Sequence, residues 1–417
     1  HLFDSDFVTV DDAKRREELL QAVTDGIFNC KLAKGTGEAI LKHELLKPID
    51  AKLLDTTKSK VVNSSDVLKI EIRCNNAYSF ALSQTNFKII SDIVLTNLSD
   101  NEIKDAKLII TSDPNYVEIS EISVPLINPH QPIAVNEFNI NPHLEQLMEL
   151  QEKVVGTLTV KLVVGEEVLG SLTTEINYFS YDTWLERVMS GSTALFVTPN
   201  EVAVQNAVGL VAKEMQNLTG SSSLPDYQMG DKNNVVSQLK ALYNTLHNEA
   251  IAYITVPPSY EGVGQKIRLP HDVLVHKQGT CLDLSILFIA CAERMGLNPF
   301  LVRISGHAFA GVFLEENNFP SMIYNDAPHA LEMNSEEENE IVFVECTAFT
   351  ADNAASFEEA MEIARKNVAA HIADPNFEII DIQRARAYGF LPLPINFNDV
   401  DRAVVDYDVV EQNTIRL

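Results

Sequence analysis

The chain has only five cysteines in 417 residues, and none of them forms a CxxC pair. They are scattered along the chain at Cys30, Cys74, Cys281, Cys291 and Cys346. An odd number of scattered cysteines argues against a disulfide framework, and the lack of paired thiols argues against a cysteine-cage zinc site. The pattern is typical of a cytoplasmic protein, and the sequence predicts no cofactor and no bound metal.

Long hydrophobic runs are also lacking. The longest apolar stretch, 284–292, is far shorter than the roughly 20 residues that a membrane-spanning helix requires. The first residues do not show the basic, apolar and small-residue order of a secretory leader. We therefore expect no association with a membrane. Because the chain begins at His1 rather than Met, we expect it to be a trimmed piece of a longer protein.

Positive charge is scarce, since 32 Lys and Arg stand against 59 Asp and Glu for a formal net charge of −27. Phosphate backbones are bound mainly by Lys and Arg, so we expect no direct nucleic-acid binding. The chain contains no GxxxxGK[ST] phosphate loop, which excludes a motor of that class within it. An apolar content of 46% with 22% charged residues is typical of a folded globular protein, and the length predicts two or three domains.

The first half of the chain changes from a helical to a strand pattern. Residues 1–65 are interpreted as a polar helical segment, with helices expected at 10–22 and 38–46. From Leu68 onward apolar and polar residues alternate, as in a half-buried strand. Further strands are predicted at 87–95, 106–111, 157–164 and 168–178. These closely spaced strands predict an antiparallel, Ig-like β-sandwich over residues 66–182.

The second half mixes helices with strands. Amphipathic patterns after Pro199 and around Leu239 predict two helices, and a capping box of Ser356 with Glu359 predicts another that runs towards His371. We assign residues 183–395 to a second, α+β domain and residues 396–417 to an acidic tail. The predicted fold class of the whole chain is therefore α+β.

Cys281 lies where a turn, Gly279-Thr280, is expected to lead into a helix. The apolar positions after it recur at helical spacing, which predicts a helix buried along one side that stops at Gly296. At the first turn of a helix, the unpaired amides and the dipole favour a thiolate and can hold a developing oxyanion. Cys281 is therefore our candidate nucleophile, whereas we expect Cys291 and Cys346 to be small buried hydrophobic residues.

His307 and Glu345 are the candidate base and acid. His307 follows a break at Ser305-Gly306 and begins a predicted strand, and Glu345 ends a later strand. A helix followed by three strands can bring a thiol, an imidazole and a carboxylate together from separate elements. Two alternatives stay open. Glu345 could be a strand residue on a solvated face, with Asp326 or another carboxylate between His307 and Glu345 as the acid, or Cys281, His307 and Glu345 could form a zinc site.

Three stretches around these residues resemble the core of the transglutaminase-like superfamily, which includes transglutaminases, peptide N-glycanases and bacterial peptidase relatives. They are Gly279-Thr280-Cys281, Gly306-His307-Ala308-Phe309 and Val344-Glu345-Cys346-Thr347. The resemblance implies a papain-like fold for residues 183–395 and a Cys-His-acid triad. The chain departs from the family in having Glu where Asp is usual, and in the 38 residues that separate His307 from Glu345.

A second resemblance covers most of the chain. The sequence is similar to the N-terminal region of a group of large bacterial helicase-related proteins, in which a β-sandwich precedes a transglutaminase-like domain. Besides the Cys281 and His307 motifs, it is carried by residues 196–200, 264–270 and 381–386. It implies that a helicase module of a larger parent protein is a partner of this region.

Several other polar residues have a structural as well as a functional interpretation. Gln265 precedes Cys281 by 16 residues and is an oxyanion candidate by analogy with the papain-like glutamine; it is equally compatible with an ordinary loop residue. Arg268 and Asp283 are expected to be structural, and His329 to lie on the surface. Arg384 and Arg386 are expected to pair locally with Asp381.

The predicted function is that of a cysteine hydrolase, a protease or amidase. Cys281 would attack a peptide or isopeptide amide of a protein or peptide substrate and form a thioester. Hydrolysis is favoured over cross-linking, because no feature of the sequence indicates that water is excluded. The alternative is a catalytically silent scaffold of the same fold that binds a protein partner or regulates a helicase module.

Overall fold

The structure, a computed structural model, describes most of the chain from residue 58 to residue 394. The described ranges are 58–85, 87–135, 138–186, 188–255, 264–353 and 355–394. The chain divides into two compact units, and the second includes the short segments Ser79–Phe87 and Leu147–Glu152 as well as the residues from Phe179 onward. The helices expected at 10–22 and 38–46 and the tail at 396–417 lie outside the described residues.

The first unit is built from strands that form two sheets. The strands are β1 (Lys58–Ser64), β2 (Leu68–Asn75), β3 (Ala77–Ser79), β4 (Ile90–Asn97), β5 (Ile103–Asp113), β6 (Ser120–Ile127), β7 (Pro132–Val135), β8 (Val154–Val164) and β9 (Glu167–Phe179). One sheet has the order β1-β2-β4-β7 and the other the order β3-β9-β8-β5-β6. The registered pairs in both sheets are antiparallel, as the period-two pattern predicts.

The two sheets of this unit pack face to face. Leu68, Ile70 and Ile72 of β2 are buried while the residues between them are partly exposed. The side chain of Leu68 reaches the other sheet, since a Cβ atom at Gly170 of β9 would lie 3.0 Å from its Cδ2. The predicted α+β class and the antiparallel sandwich are thereby confirmed, and the assignment to the Ig-like type stays a prediction.

Strand β1 is a correction to the sequence interpretation. It occupies Lys58–Ser64, inside the segment 1–65 that we expected to be helical, and it pairs with β2 over its whole length. Its sequence, KSKVVNS, is polar and its described side chains are mostly exposed, because it is the outermost strand of its sheet. An edge strand without a buried face carries little apolar alternation, so the pattern did not reveal it.

The second unit mixes helices with short strands. Its strands are β10 (Thr183–Trp184), β11 (Ala252–Tyr253), β12 (Gln265–Lys266), β13 (Gln278–Gly279), β14 (Pro299–Ile304), β15 (His307–Phe313), β16 (Ile323–Tyr324), β17 (Ile341–Val344) and β18 (Glu378–Asp381). Two short helices, α1 (Phe80–Ser83) and α2 (Leu144–Met148), come earlier in the chain, and the later ones are α3 (Val202–Thr219), α4 (Lys232–Asn248), α5 (Pro270–His276), α6 (Cys281–Arg294), α7 (Ala327–Met333), α8 (Phe357–Ala370) and α9 (Ile382–Ala387). Across the described ranges, no helix has the length and apolar character needed to cross a bilayer.

Helix α6 lies at the centre of this unit. Every residue from Leu282 to Ala292 is buried, so the helix is covered on more than the single side that the apolar stripe indicated. Helices α3, α4 and α5 and strands β14 and β15 all pack against it. The helix ends at Met295 and Gly296, where Gly296 adopts a left-handed φ of 85°, as the predicted stop requires.

The main sheet of this unit has the order β16-β18-β14-β15-β17, with antiparallel pairing throughout its registered pairs. Its core is aromatic, and the ring of Phe300 lies against Phe313, Phe319 and Phe343. Gly311 of β15 leaves room for that ring, since a Cβ atom there would overlap the side chain of Phe300. The aromatic side chains thus pack closely on one face of the sheet.

Candidate active site

Cys281 is the first residue of helix α6 and is only partly buried. Thr280 is the N-cap residue: its hydroxyl accepts from the backbone N–H of Asp283, and the Asp283 carboxylate accepts from the backbone N–H of Thr280. This capping box uses two of the four N–H groups that have no partner within the helix. The N–H groups of Cys281 and Leu282 stay directed out of the helix end, beside the thiol.

Asp283 connects the start of α6 to the preceding loop. Its side chain is fully buried and accepts from the backbone N–H and the guanidinium of Arg268, at 3.0 and 3.2 Å. The expectation that Arg268 and Asp283 are structural is therefore confirmed. Their contacts fix the helix start on which Cys281 lies.

His307 is the first residue of β15 and follows a tight turn. Gly306 adopts a φ of 75°, a left-handed conformation that favours glycine, and Ile304 pairs with His307 across the turn. Nε2 of His307 lies 2.8 Å from Oε2 of Glu345, which leaves Nδ1 as the ring nitrogen available to Cys281. Burial lowers the pKa of His307, but the hydrogen bonds to Cys281 and Glu345 and the charges of both outweigh burial and raise it to about 10.

Glu345 follows β17 directly and is buried. Its Oε2 accepts from His307 and, at 3.1 Å, from the side-chain amide of Asn367. Its Oε1 accepts from the backbone N–H and the hydroxyl of Thr347, at 3.0 and 2.7 Å. Within the described ranges its ion-pair partner is His307 alone, so a protonated imidazole is what balances this buried carboxylate.

Asp326, the alternative acid, lies in a different part of the fold. It caps helix α7 by accepting from the backbone N–H of His329 at 3.1 Å. Residues 314–340 join Phe313 to Ile341 and add strand β16 at the edge of the sheet opposite to β17, the strand that Glu345 follows. The long gap in sequence between His307 and Glu345 is therefore an insertion away from the site. His329 is exposed, as expected, and contacts Tyr324.

The zinc alternative is not supported by the arrangement of side chains in the part of the chain that the structure describes. No group of three or more His, Cys, Asp or Glu side chains there could hold an ion. His307 is hydrogen-bonded to the Glu345 carboxylate, and the charge of Cys281 also acts on its imidazole.

Gln265 lies in β12, where its backbone pairs with Trp184 of β10, and its side chain is half-buried. Among the hydrogen bonds of the described residues, none joins Gln265 to Cys281. Its role as an oxyanion donor therefore stays a prediction drawn from the sequence.

Tyr253 is a residue of the site that the sequence interpretation missed. Strand β11 pairs in parallel with β13, which places Tyr253 beside Gly279, two residues before Cys281. The side chain is 44% exposed. Burial raises the pKa of the Tyr253 hydroxyl, and the charges of Cys281 and Glu345 raise it further. The hydroxyl is therefore within electrostatic reach of both groups.

The remaining polar and thiol residues have structural positions. Cys291 and Cys346 are fully buried, as expected, and burial raises the pKa of both thiols. Arg384 bonds Asp381 through its backbone N–H, whereas its guanidinium donates to the distant backbone carbonyl of Phe319. The expectation of local pairing is wrong for Arg386, which forms two hydrogen bonds with the distant Glu293 and donates to backbone carbonyls. A short helix at its position brings the guanidinium against α6.

Comparisons with known proteins add little to this geometry. No family model matches the chain, and no curated protein matches it. One matching solved structure is a family 76 glycoside hydrolase from a bovine Bacteroides thetaiotaomicron strain, with 11% identity over 60% of this chain and a TM-score of 0.12. The match spans 58% of that enzyme. So low a TM-score shows no common fold, and the assignment of this site depends on its own residues.

Proposed function

We propose that the chain is a cysteine hydrolase of the transglutaminase-like type that cleaves a peptide or isopeptide amide through a thioester at Cys281. The observation that carries the proposal is the 2.8 Å contact between Nε2 of His307 and Oε2 of Glu345, beside which Cys281 lies near enough to raise the pKa of the imidazole. A thiol at a helix start, an imidazole with a raised pKa and a buried carboxylate are the parts that acyl transfer needs.

In the proposed reaction the thiolate of Cys281 attacks the carbonyl carbon, and a carbon–sulfur bond forms. The oxyanion accepts hydrogen bonds from the backbone N–H groups of Cys281 and Leu282, with the Tyr253 hydroxyl as a further donor. His307 gives its Nδ1 proton to the departing amine as the carbon–nitrogen bond breaks. Water then attacks the thioester and gives one proton to His307. The carbon–sulfur bond then breaks, the carboxylic acid leaves with the second proton of the water, and the thiolate–imidazolium pair is restored.

Glu345 orients the imidazole in this scheme. Its carboxylate accepts the Nε2 proton and stabilises the imidazolium, which sets the direction of Nδ1 towards sulfur. The extra methylene of Glu relative to Asp is accommodated because Thr347 and Asn367 hold the carboxylate. The order of helix and strands around the three residues also fits the transglutaminase-like superfamily, and the helicase-associated architecture remains part of the proposal.

The cytoplasm is the proposed location. Among the cysteines that the structure describes, Cys281, Cys291 and Cys346 are free thiols. A hydrolase that uses a thiolate depends on a reducing environment, because oxidation of the nucleophile ends turnover.

An acyl-transfer experiment tests the proposal. The protein is mixed with a p-nitrophenyl ester of a short peptide, and release of p-nitrophenol and the intact mass are followed together. We expect a burst, an acyl adduct on Cys281 and slow return of the free enzyme, all lost in Cys281→Ala. Cys346→Ala, which changes a fully buried thiol, is the matched control and keeps the burst. Equal, adduct-free behaviour of wild type and Cys281→Ala would instead support the scaffold interpretation.

The same experiment separates hydrolysis from transamidation. With a primary amine added, a hydrolase releases the free acid at an unchanged rate. An amide product that grows with amine concentration would reassign the chain to the acyl-transferases.

A further inference from the structure

One segment of the chain, residues 367–376, contacts the surroundings of His307 from two directions. It comprises the end of α8 and the loop that follows it. At its start, the side-chain amide of Asn367 donates to Oε2 of Glu345 at 3.1 Å, the same oxygen that accepts from His307. The carboxylate is thus held on its far oxygen by Thr347 and on its near oxygen by Asn367.

The later part of the segment holds the turn before His307. Asp374 accepts from the backbone N–H and the hydroxyl of Ser305, at 2.6 and 2.8 Å. The side-chain amide of Asn376 also donates to the Ser305 hydroxyl at 3.0 Å. Since Ser305 and Gly306 form the turn that leads into His307, this end of the segment fixes the backbone from which the imidazole projects.

The segment itself is fixed between these contacts. His371 is the C-cap residue of α8, and its Nδ1 lies 2.8 Å from the backbone carbonyl of Asn367. Asn367 therefore sits at a helix end whose geometry is defined by backbone as well as side-chain hydrogen bonds. Its own side chain is half-buried and faces the carboxylate.

We propose that Asn367 is a positioning residue of the site: it keeps the Glu345 carboxylate in the orientation that directs His307 at Cys281. This inference rests on the proposed function. A carboxylate held by Thr347 alone on one oxygen can turn about its last bond and carry the imidazole with it. The hydrogen bond from Asn367 fixes the position of Oε2, and the imidazole bound to that oxygen therefore keeps its Nδ1 directed at Cys281. Asn367 touches neither substrate nor thiol and acts through Glu345.

The test compares the rate at which iodoacetamide alkylates Cys281 at about pH 6 and about pH 9. At the lower pH an ordinary thiol is almost wholly protonated, so the rate depends on the oriented imidazolium. We expect Asn367→Leu, which has a similar size and no donor, to slow alkylation about tenfold at the lower pH and about twofold or less at the higher pH. Asn367→Gln, which restores an amide donor, recovers part of the loss.

Lys366→Leu is the matched control on the same helix. Lys366 is 69% exposed and pairs only with Glu362 among the residues that the structure describes. We expect it to leave both rates unchanged. Unchanged rates in Asn367→Leu, with a fast wild type that depends on His307, would overturn the positioning role and leave the proposed function intact.

A loss of rate that is equal at both pH values and that Asn367→Gln does not recover would also overturn it, because that pattern reports damage to the fold. Thermal unfolding of each variant identifies this case. If wild-type Cys281 itself reacts as an ordinary thiol, the proposed function fails first, and this inference fails with it.

Discussion

Replacing His307 by Gln isolates what the imidazole contributes to the thiol. In the wild type the pKa of His307 is raised to about 10, so the ring is positively charged at about pH 6 and lies against Cys281. The His307→Gln side chain would keep a polar group of similar length but no positive charge. An ordinary cysteine, with a pKa of about 8.5, is about 0.3% ionised at that pH. The variant therefore has a thiolate fraction up to about 300-fold lower than a fully formed ion pair.

The difference in thiolate fraction between wild type and His307→Gln becomes small as the pH rises, because an ordinary thiol is about three-quarters ionised at about pH 9. Thiolate absorbance in the ultraviolet, with the Cys281→Ala spectrum subtracted, measures the fraction directly. It is preferable to an alkylation rate here, since a stabilised thiolate is also a weaker nucleophile. His329→Gln, which changes an exposed histidine that contacts Tyr324 of β16, is the matched control. An unchanged thiolate signal in His307→Gln at the lower pH would refute the ion pair.

Three further results are expected. Burial raises the pKa of Glu201 from 4.5 to about 7. The protonated carboxyl therefore stabilises the fold fully below about pH 4.5, and this contribution is lost as the pH rises through about 7. Urea unfolding at about pH 5 and pH 8 should show that Glu201→Gln removes up to about 3 kcal/mol of the loss of stability. Gly311→Ala should lower the free energy of unfolding by about 3 kcal/mol or more, because the new methyl group meets Phe300. Gly209→Ala, where there is open space in helix α3, should raise it by about 0.5 to 1 kcal/mol. Thermal unfolding measures both changes. Tyr253→Phe should slow acylation of Cys281 about tenfold, because the hydroxyl donates to the oxyanion. The rate of iodoacetamide alkylation should stay within about twofold of the wild-type rate, because the hydroxyl does not act on the thiol. Equal losses of rate in both assays would contradict this role.

The three central residues of the site could be found in the sequence because each lies at the end of an element with a strong local signal. Gly279-Thr280 marks a helix start, and Ser305-Gly306 marks the turn before His307. The structure brings these positions together, and their catalytic roles stay predictions. Asn367 left a fainter signal: it is a polar residue beside Val368 on the buried side of an otherwise regular amphipathic helix.

Tyr253 could not be found in this way. Its strand is two residues long and its partner strand is 26 residues further along the chain, so neither periodicity nor a motif indicates the pairing. Arg386 illustrates the same limit, because its partner Glu293 is 93 residues away and no local pattern specifies it. Long-range pairing of short segments is decided by packing of the whole unit, which a sequence window does not contain.

The larger sandwich strands were predictable for the opposite reason. Strands β5, β8 and β9 each bury one face, and burial of alternate residues is written into their composition. Strand β1 buries little and was mistaken for part of a helical segment. Apolar alternation in a sequence thus reveals a strand that buries one face, and it fails to reveal a strand whose side chains are mostly exposed.

The insertion 314–340 joins β15 to β17 and adds strand β16 at the edge of the main sheet opposite to β17. It carries its own capped helix and an exposed acidic run, Glu336, Glu337 and Glu338. A fluorophore or an affinity handle attached in this region would report on the protein without entering the reaction. The insertion therefore offers a place to immobilise the chain in a search for its substrate.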